Sequence, residues 1–250
     1  MSISAKSQIQ EYVSKKKDLQ SIILSYLNDE CDTVNNISVF LKQKHITENR
    51  TEFKLLLDLL KKLANNHCRN TNLFDKLENI FLDIKNSIKQ TFSNLEIYEF
   101  FKSNKRTLLS LLKTEVLIID QSISDIIIND KNSNYKTYKK FFYTEIKPFL
   151  SDENLLKLNE KVNNTDPNFL NTLEQKRKNG NNDGFLCRLI QNDSVEEFVS
   201  FMNKTNTSLN SKIEPSLFET NLFLIKNQPT LIEYSTFFGS IQIFNYLRLN

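Results

Sequence analysis

The sequence predicts an all-α protein, on three observations. The helix-breaking residues are confined to one end: all four prolines and all three glycines lie from Pro148 onward, and residues 1–147 contain neither. Within that stretch apolar residues recur at spacings of three and four, the period of one helix face. The gaps between periodic segments are short runs of Asn, Asp and Ser, which bond to nearby backbone and end helices without glycine or proline. The expected architecture is an N-terminal multi-helix region over residues 1–180, followed by helix pairs over 181–250.

Each element has its own signal. Phe53, Leu56, Leu57, Leu60, Leu63 and Ala64 form one apolar stripe, on a helix that starts near Thr51 and ends in the polar run Asn65–Arg69. Phe74, Leu77, Ile80, Phe81, Ile84 and Ile88 form the next. Ser93 and Glu96 have capping-box spacing, which starts a helix burying Leu95, Tyr98 and Phe101. Asn104 is placed to cap another, with Leu108, Leu109, Leu112, Val116 and Ile119 inside. Tyr135, Tyr138, Phe141, Phe142 and Phe149 make an aromatic stripe. Its spacing is that of one buried helix face, so core packing is expected there rather than a platform for stacked bases. Asp166-Pro167 supplies a helix start, and Gly180, after the basic run Lys176-Arg177-Lys178, supplies a helix end. The turn-prone segment from Lys178 to Gly184 follows, and the domain boundary is placed within it.

The last 21 residues, Thr230 to Asn250, carry the most specific pattern. Thr230 opens it, Ile232 is an apolar anchor, and Ser235 and Thr236 are small enough to let two antiparallel helices approach. Gly239 gives the backbone freedom of a tight turn, and Ile243-Phe244 and Tyr246-Leu247 are apolar pairs on the returning helix. This segment resembles an ankyrin repeat, with Leu231, Glu233 and Ser240 as departures that remove the hydrogen bonding usual at those positions. A weaker copy runs from Asp193 to Met202, with Asp193 aligned on Gly239, 46 positions away. Ankyrin repeats recur at about 33 residues, so an extra helix over Ser216–Ile225 is expected in the excess. Ser194 and Glu197 have capping-box spacing, which independently starts a helix there.

With the helical N-terminal region, Asp193-Ser-Val-Glu-Glu-Phe198, Phe218-Glu-Thr-Asn221 and Thr230-Leu-Ile-Glu-Tyr234, the chain resembles an ankyrin-repeat family expanded in parasitic protists. The resemblance implies the beginning of an α-solenoid and protein binding through degenerate ankyrin-type pairs, and it brings no catalytic residues. The chain stops inside the second helix of a repeat, and Ile241, Ile243, Phe244, Tyr246, Leu247 and Leu249 are too many apolar residues for one buried face. Self-association through that repeat is expected.

The remaining residues argue against chemistry. Thirty-three Lys+Arg against 30 Asp+Glu leave a formal charge of +3 with the signs interspersed, unlike a nucleic-acid binder. The basic runs Lys15–Lys17, Lys105-Arg106 and Lys139-Lys140 fall at solvent-facing positions of helical patterns. Cys31, Cys68 and Cys187 are scattered, which suits a reducing cytoplasm, and the N-terminus lacks the apolar core of a signal peptide. No apolar run approaches the roughly 18 residues of a membrane span. His67-Cys68 adjoin, yet neighbours on a helix point about 100° apart, so neither a metal site nor an activated thiol is expected. Three glycines cannot build a phosphate-binding loop of the usual kind.

The expected function is therefore a non-enzymatic, cofactor-free protein–protein interaction scaffold. Its contact residues are placed at the turns before the two pairs, Asn181, Asn182 and Asp183, then Asn227, Gln228 and Thr230. The alternatives are a helical N-terminal region with its own membrane-surface or nucleic-acid contact, targeted by the repeats, or a truncated family copy without independent function.

Overall fold

A computed structural model describes residues 3–28, 34–66, 72–129, 137–163 and 168–250. Among these the chain is predominantly helical, with sixteen α-helices, and its one β feature is an isolated antiparallel bridge between Lys212 and Thr230. It divides into two compact units: Met1–Lys102 with Thr107–Ile118, and Ser103–Arg106 with Ile119–Asn250. The boundary expected after residue 180 lies inside the second unit.

The first unit contains α1 (Ile3–Leu27), α2 (Val34–Gln43), α3 (Arg50–Asn66), α4 (Leu73–Thr91) and α5 (Asn94–Phe101), together with most of α6 (Lys105–Lys113). The two strongest stripes in the sequence are buried in full, Phe53 to Ala64 on α3 and Phe74 to Ile88 on α4. α4 packs on both α2 and α3. Ser93 and Glu96 form the expected capping box, and the bonds from Ser93 hold the Glu96 carboxyl below the usual carboxylate range. Tyr98 and Phe101 are buried as expected, but Leu95 points to solvent at 41% exposure, because the core-facing stripe of α5 runs through Ile97, Tyr98 and Phe101.

The helix after Asn104 is shorter than its apolar pattern suggested. It stops at Lys113, and Glu115 then takes a left-handed conformation (φ 56°) that an α-helix cannot continue. Leu108, Val116 and Ile119 are buried, whereas Leu109 and Leu112 are only half-buried. Buried Glu78 of α4 accepts from Ser110 and pairs with Lys113, and Asn94 both donates to and accepts from the Ile118 backbone.

The second unit begins with α7 (Gln121–Asn129), α8 (Tyr138–Phe141), α9 (Tyr143–Ile146), a 3₁₀ turn (Lys147–Phe149), α10 (Asp152–Asn163) and α11 (Phe169–Asn179). It continues through α12 (Phe185–Gln191), α13 (Val195–Thr205), α14 (Leu222–Asn227), α15 (Leu231–Phe238) and α16 (Ile241–Leu249). The aromatic stripe is core but not one helix: Tyr138 and Phe141 are buried on α8, Phe142 is buried between α8 and α9, and Phe149 is half-buried in the 3₁₀ turn. Tyr135 lies outside the described residues, as do Cys31, His67, Cys68 and the Asp166-Pro167 pair. α11 begins at Phe169, with Asn168 before it.

Two basic positions expected to face water are inside. Lys105 and Arg106 are 3% and 4% exposed. Arg177, in the basic end of α11, is 1% exposed; one guanidinium nitrogen donates to both Glu145 carboxylate oxygens at 2.8 Å and to Phe141 O at 3.0 Å. α11 ends as expected at Gly180 in a left-handed conformation (φ 68°), and Gly180 O accepts from both the backbone and the hydroxyl of Thr220. A side chain at 180 would sit 3.1 Å from that hydroxyl, so close approach as well as φ requires glycine here.

Candidate protein-interaction surface

α12 with α13, and α15 with α16, are two helix hairpins whose turns are the same structure. Asp193 (φ 52°) and Gly239 (φ 71°) are both left-handed. Asp193 N–H donates to Ile190 O and Ser194 N–H to Leu189 O; Gly239 N–H donates to Thr236 O and Ser240 N–H to Ser235 O. The 46-residue alignment of the two turns thus holds at the level of individual hydrogen bonds. The hairpins stack, α12 on α15 and α13 on α16, around Cys187, Leu189, Ile190, Phe198, Met202, Leu231, Tyr234, Ile243 and Leu247.

Polar contacts fix the stack at its turns. The Asp193 carboxylate accepts from the Gln242 and Ile243 backbone N–H groups at 3.0 Å each, so a residue of the first turn caps the second helix of the next hairpin. Ser240 donates back to Ile190 O. Ser194 stands at the N-cap of α13 as expected but makes no side-chain cap bond. Conversely Glu233, a departure from the repeat pattern, completes a capping box with Thr230, whose N–H and hydroxyl both donate to it, and those bonds hold the Glu233 carboxyl low.

The insertion between the hairpins differs from expectation in one respect. The extra helix begins at Leu222, not Ser216, because Asn221 caps it by accepting from Phe223 and Leu224 N–H. Residues 216–221 are instead spent on the interior. Phe218 stacks on Phe169, Thr220 bonds Gly180, and Glu219 accepts from the Asn182 and Asn221 N–H groups.

The six residues placed at the turns fall into two kinds. Asn182 is a correction: it is 5% exposed, its side chain donates to Glu214 O and accepts from Gly184 N–H, and its carbonyl accepts from Gln191, so it pins the turn and offers nothing outward. Asp183 is half-buried and held by Lys176 and Ser216. Thr230 is engaged in its capping box. Asn181 is half-buried, and Asn227 and Gln228 are exposed beside each other at the C-terminal end of α14.

Sequence reading missed the exposed aromatics. Phe185 and Phe223 are 52% and 54% exposed, each against a half-buried partner, Phe201 at 5.2 Å and Phe237 at 6.2 Å, and Arg188 lies over Phe185. Both open a helix just after a turn, and only position relative to the cap distinguishes them from core phenylalanines.

The buried titratable groups are perturbed mainly by burial. Cys187 is pushed up to about 12, and Tyr234, beside it and hydrogen-bonded to Gln191 at 2.8 Å, is also raised. A thiol so placed stays protonated at neutral pH and packs as a small apolar side chain. No group of three or more His, Cys, Asp or Glu residues suited to a metal ion occurs among the described residues, and His45 is an exposed turn residue paired with Glu48. No helix among the described residues is long and apolar enough to cross a membrane. Compared with family models, curated proteins and solved structures, the chain matches none.

Proposed function

We propose that this chain is a cytoplasmic, non-enzymatic interaction protein that binds a protein partner through ankyrin-type helix hairpins. The supporting observation is the pair of stacked hairpins with identically bonded turns, joined by the Asp193 cap, with half-exposed phenylalanines near helix starts, Phe185 on the first hairpin and Phe223 on the inserted α14. Aromatic side chains on a rigid frame are what protein interfaces concentrate at their energetic centres. Half-buried Asn181 before α12, and exposed Asn227 and Gln228 at the end of α14, would supply polar contacts.

The test compares the full chain with F185S/F223S as bait for capture from native cells, with circular dichroism and urea unfolding as fold controls. Partners held by the native chain and lost from the variant, at unchanged fold, are expected; an identical partner set would overturn the reading. Asn182→Ala serves as contrast, since it should cost about 1–3 kcal/mol of stability by leaving buried groups unpaired. Self-association is a second reading, favoured by Ile241 and Leu249 at 68% and 76% exposure. The outer side of α15 is polar, with Glu233 and Thr236 exposed, so α16 would carry that contact. Sedimentation of I241S/L249S against the native chain decides it.

A further inference from the structure

Lys105 is a lysine held inside a protein without a close ion-pair partner. Its ammonium donates to Leu217 O at 2.6 Å and Thr137 Oγ1 at 3.3 Å and lies over the Phe141 ring, which leaves one of three N–H donors without a partner among the described residues. It lines a cavity of about 60 Å³ in the second unit. That is room for about four water-sized molecules, or one tetrahedral oxyanion.

The rest of the wall fits the same occupant. Lys226, at the C-terminal end of α14, brings a second, exposed basic side chain to the wall, with no hydrogen bond or ion pair to a described residue. The Ser103 hydroxyl is buried and finds no hydrogen-bond partner among the described residues, a cost that an acceptor in the cavity would relieve. Thr220 and Tyr138 also line the cavity, and Leu222 and Ile225 add apolar residues to its wall. The Thr220 hydroxyl proton is already committed to Gly180 O, so the donors to a ligand are Lys105, Lys226 and Ser103.

We propose that this cavity binds a phosphate-sized oxyanion, either inorganic phosphate or the phosphoryl group of a small organic phosphate whose apolar part rests on Leu222 and Ile225. The counter-argument is Glu219, whose charge acts on Lys105 although it is not among the residues that line the cavity. Burial raises its carboxyl to about 7 and lowers the Lys105 ammonium to about 7, so neither is fully charged at neutral pH, and an oxyanion in the cavity would draw the proton onto Lys105 while exposed Lys226 supplies the standing positive charge. An oxyanion accepting from two ammonium groups and a hydroxyl makes charge-assisted bonds, the stronger kind.

Equilibrium dialysis of the full chain against radiolabelled phosphate, and separately against phenyl phosphate, at physiological ionic strength tests this. One site per chain is expected, weakened about tenfold by K226Q and by S103A, the loss of one charge-assisted bond each. Both substitutions are conservative and remove no hydrogen bond or ion pair among the described residues, so the test does not depend on Lys105→Met folding. Phenyl phosphate binding several-fold tighter than phosphate assigns the site to an organic phosphate, and equal binding assigns it to the free ion. No saturable binding to the native chain, or binding unchanged in both variants, overturns the proposal.

Discussion

Burial sets the charge on Glu219 and Lys105, and both shift toward neutrality. The Glu219 carboxyl, ordinarily near 4.5, is raised to about 7, and the Lys105 ammonium, ordinarily near 10.5, is lowered to about 7. Between pH 4.5 and 7 the unfolded chain has lost a Glu219 proton that the folded chain keeps, so stability falls as pH rises. Between pH 7 and 10.5 the unfolded chain keeps a Lys105 proton that the folded chain has lost, so stability rises with pH. Measured against the K105M/E219Q variant, the native chain should be least stable near pH 7 and gain on the order of 1–2 kcal/mol toward pH 5 and pH 9. A urea-midpoint difference that is flat in pH would falsify this. None of it was legible in the sequence. Lys105 looks like any lysine at a helix start, and the carbonyl that holds it belongs to Leu217, 112 positions along the chain. Arg177 was hidden in the same way, as one residue of a basic helix end.

At the scale of elements, what local chemistry encodes was readable and what distant contacts impose was not. The α3 and α4 stripes, the Ser93 capping box and the Gly180 and Gly239 helix ends depend on neighbours within four or five residues. The premature end of α6, the late start of α14 and the outward turn of Leu95 depend on packing. The Asp193 cap mixes the two, since its turn was found by alignment but its carboxylate serves a helix 49 and 50 residues away. Three substitutions separate its contributions. Asp193→Gly removes the carboxylate while relieving the left-handed backbone and should cost about 1 kcal/mol. Asp193→Ala also adds backbone strain and should cost about 2 kcal/mol. Asp193→Asn should fall below both, because an amide oxygen still accepts. Amide exchange at Gln242 and Ile243 should accelerate in the same order, and unchanged exchange in Asp193→Ala would show the cap to be incidental.

For the molecule as a whole, the all-α class followed from breaker placement and periodicity, while the division into units did not, because the apolar patterns run on without a change of composition across residues 103–119. Cys187 offers a probe of the second unit in the intact chain. With its thiol 5% exposed and raised to about 12, roughly one molecule in ten thousand is the reactive thiolate at pH 8. In a C31S/C68S background it should be modified only as fast as the α12–α16 core opens, with a urea dependence that tracks unfolding; rapid labelling in native buffer would contradict that packing. The interleaving of the units has a further consequence, for how such a chain can be divided or inherited. Ser103–Arg106 belong to the second unit although Thr107–Ile118, after them, belong to the first. No single cut separates the two. A gene fragment ending at Ile118 takes Lys105 and Arg106 from the unit they help to fill, and one ending at Lys102 strips the first of its last helix. The chain therefore cannot be shuffled as two cassettes. A cut anywhere in this stretch leaves one unit or the other short of residues that belong to it.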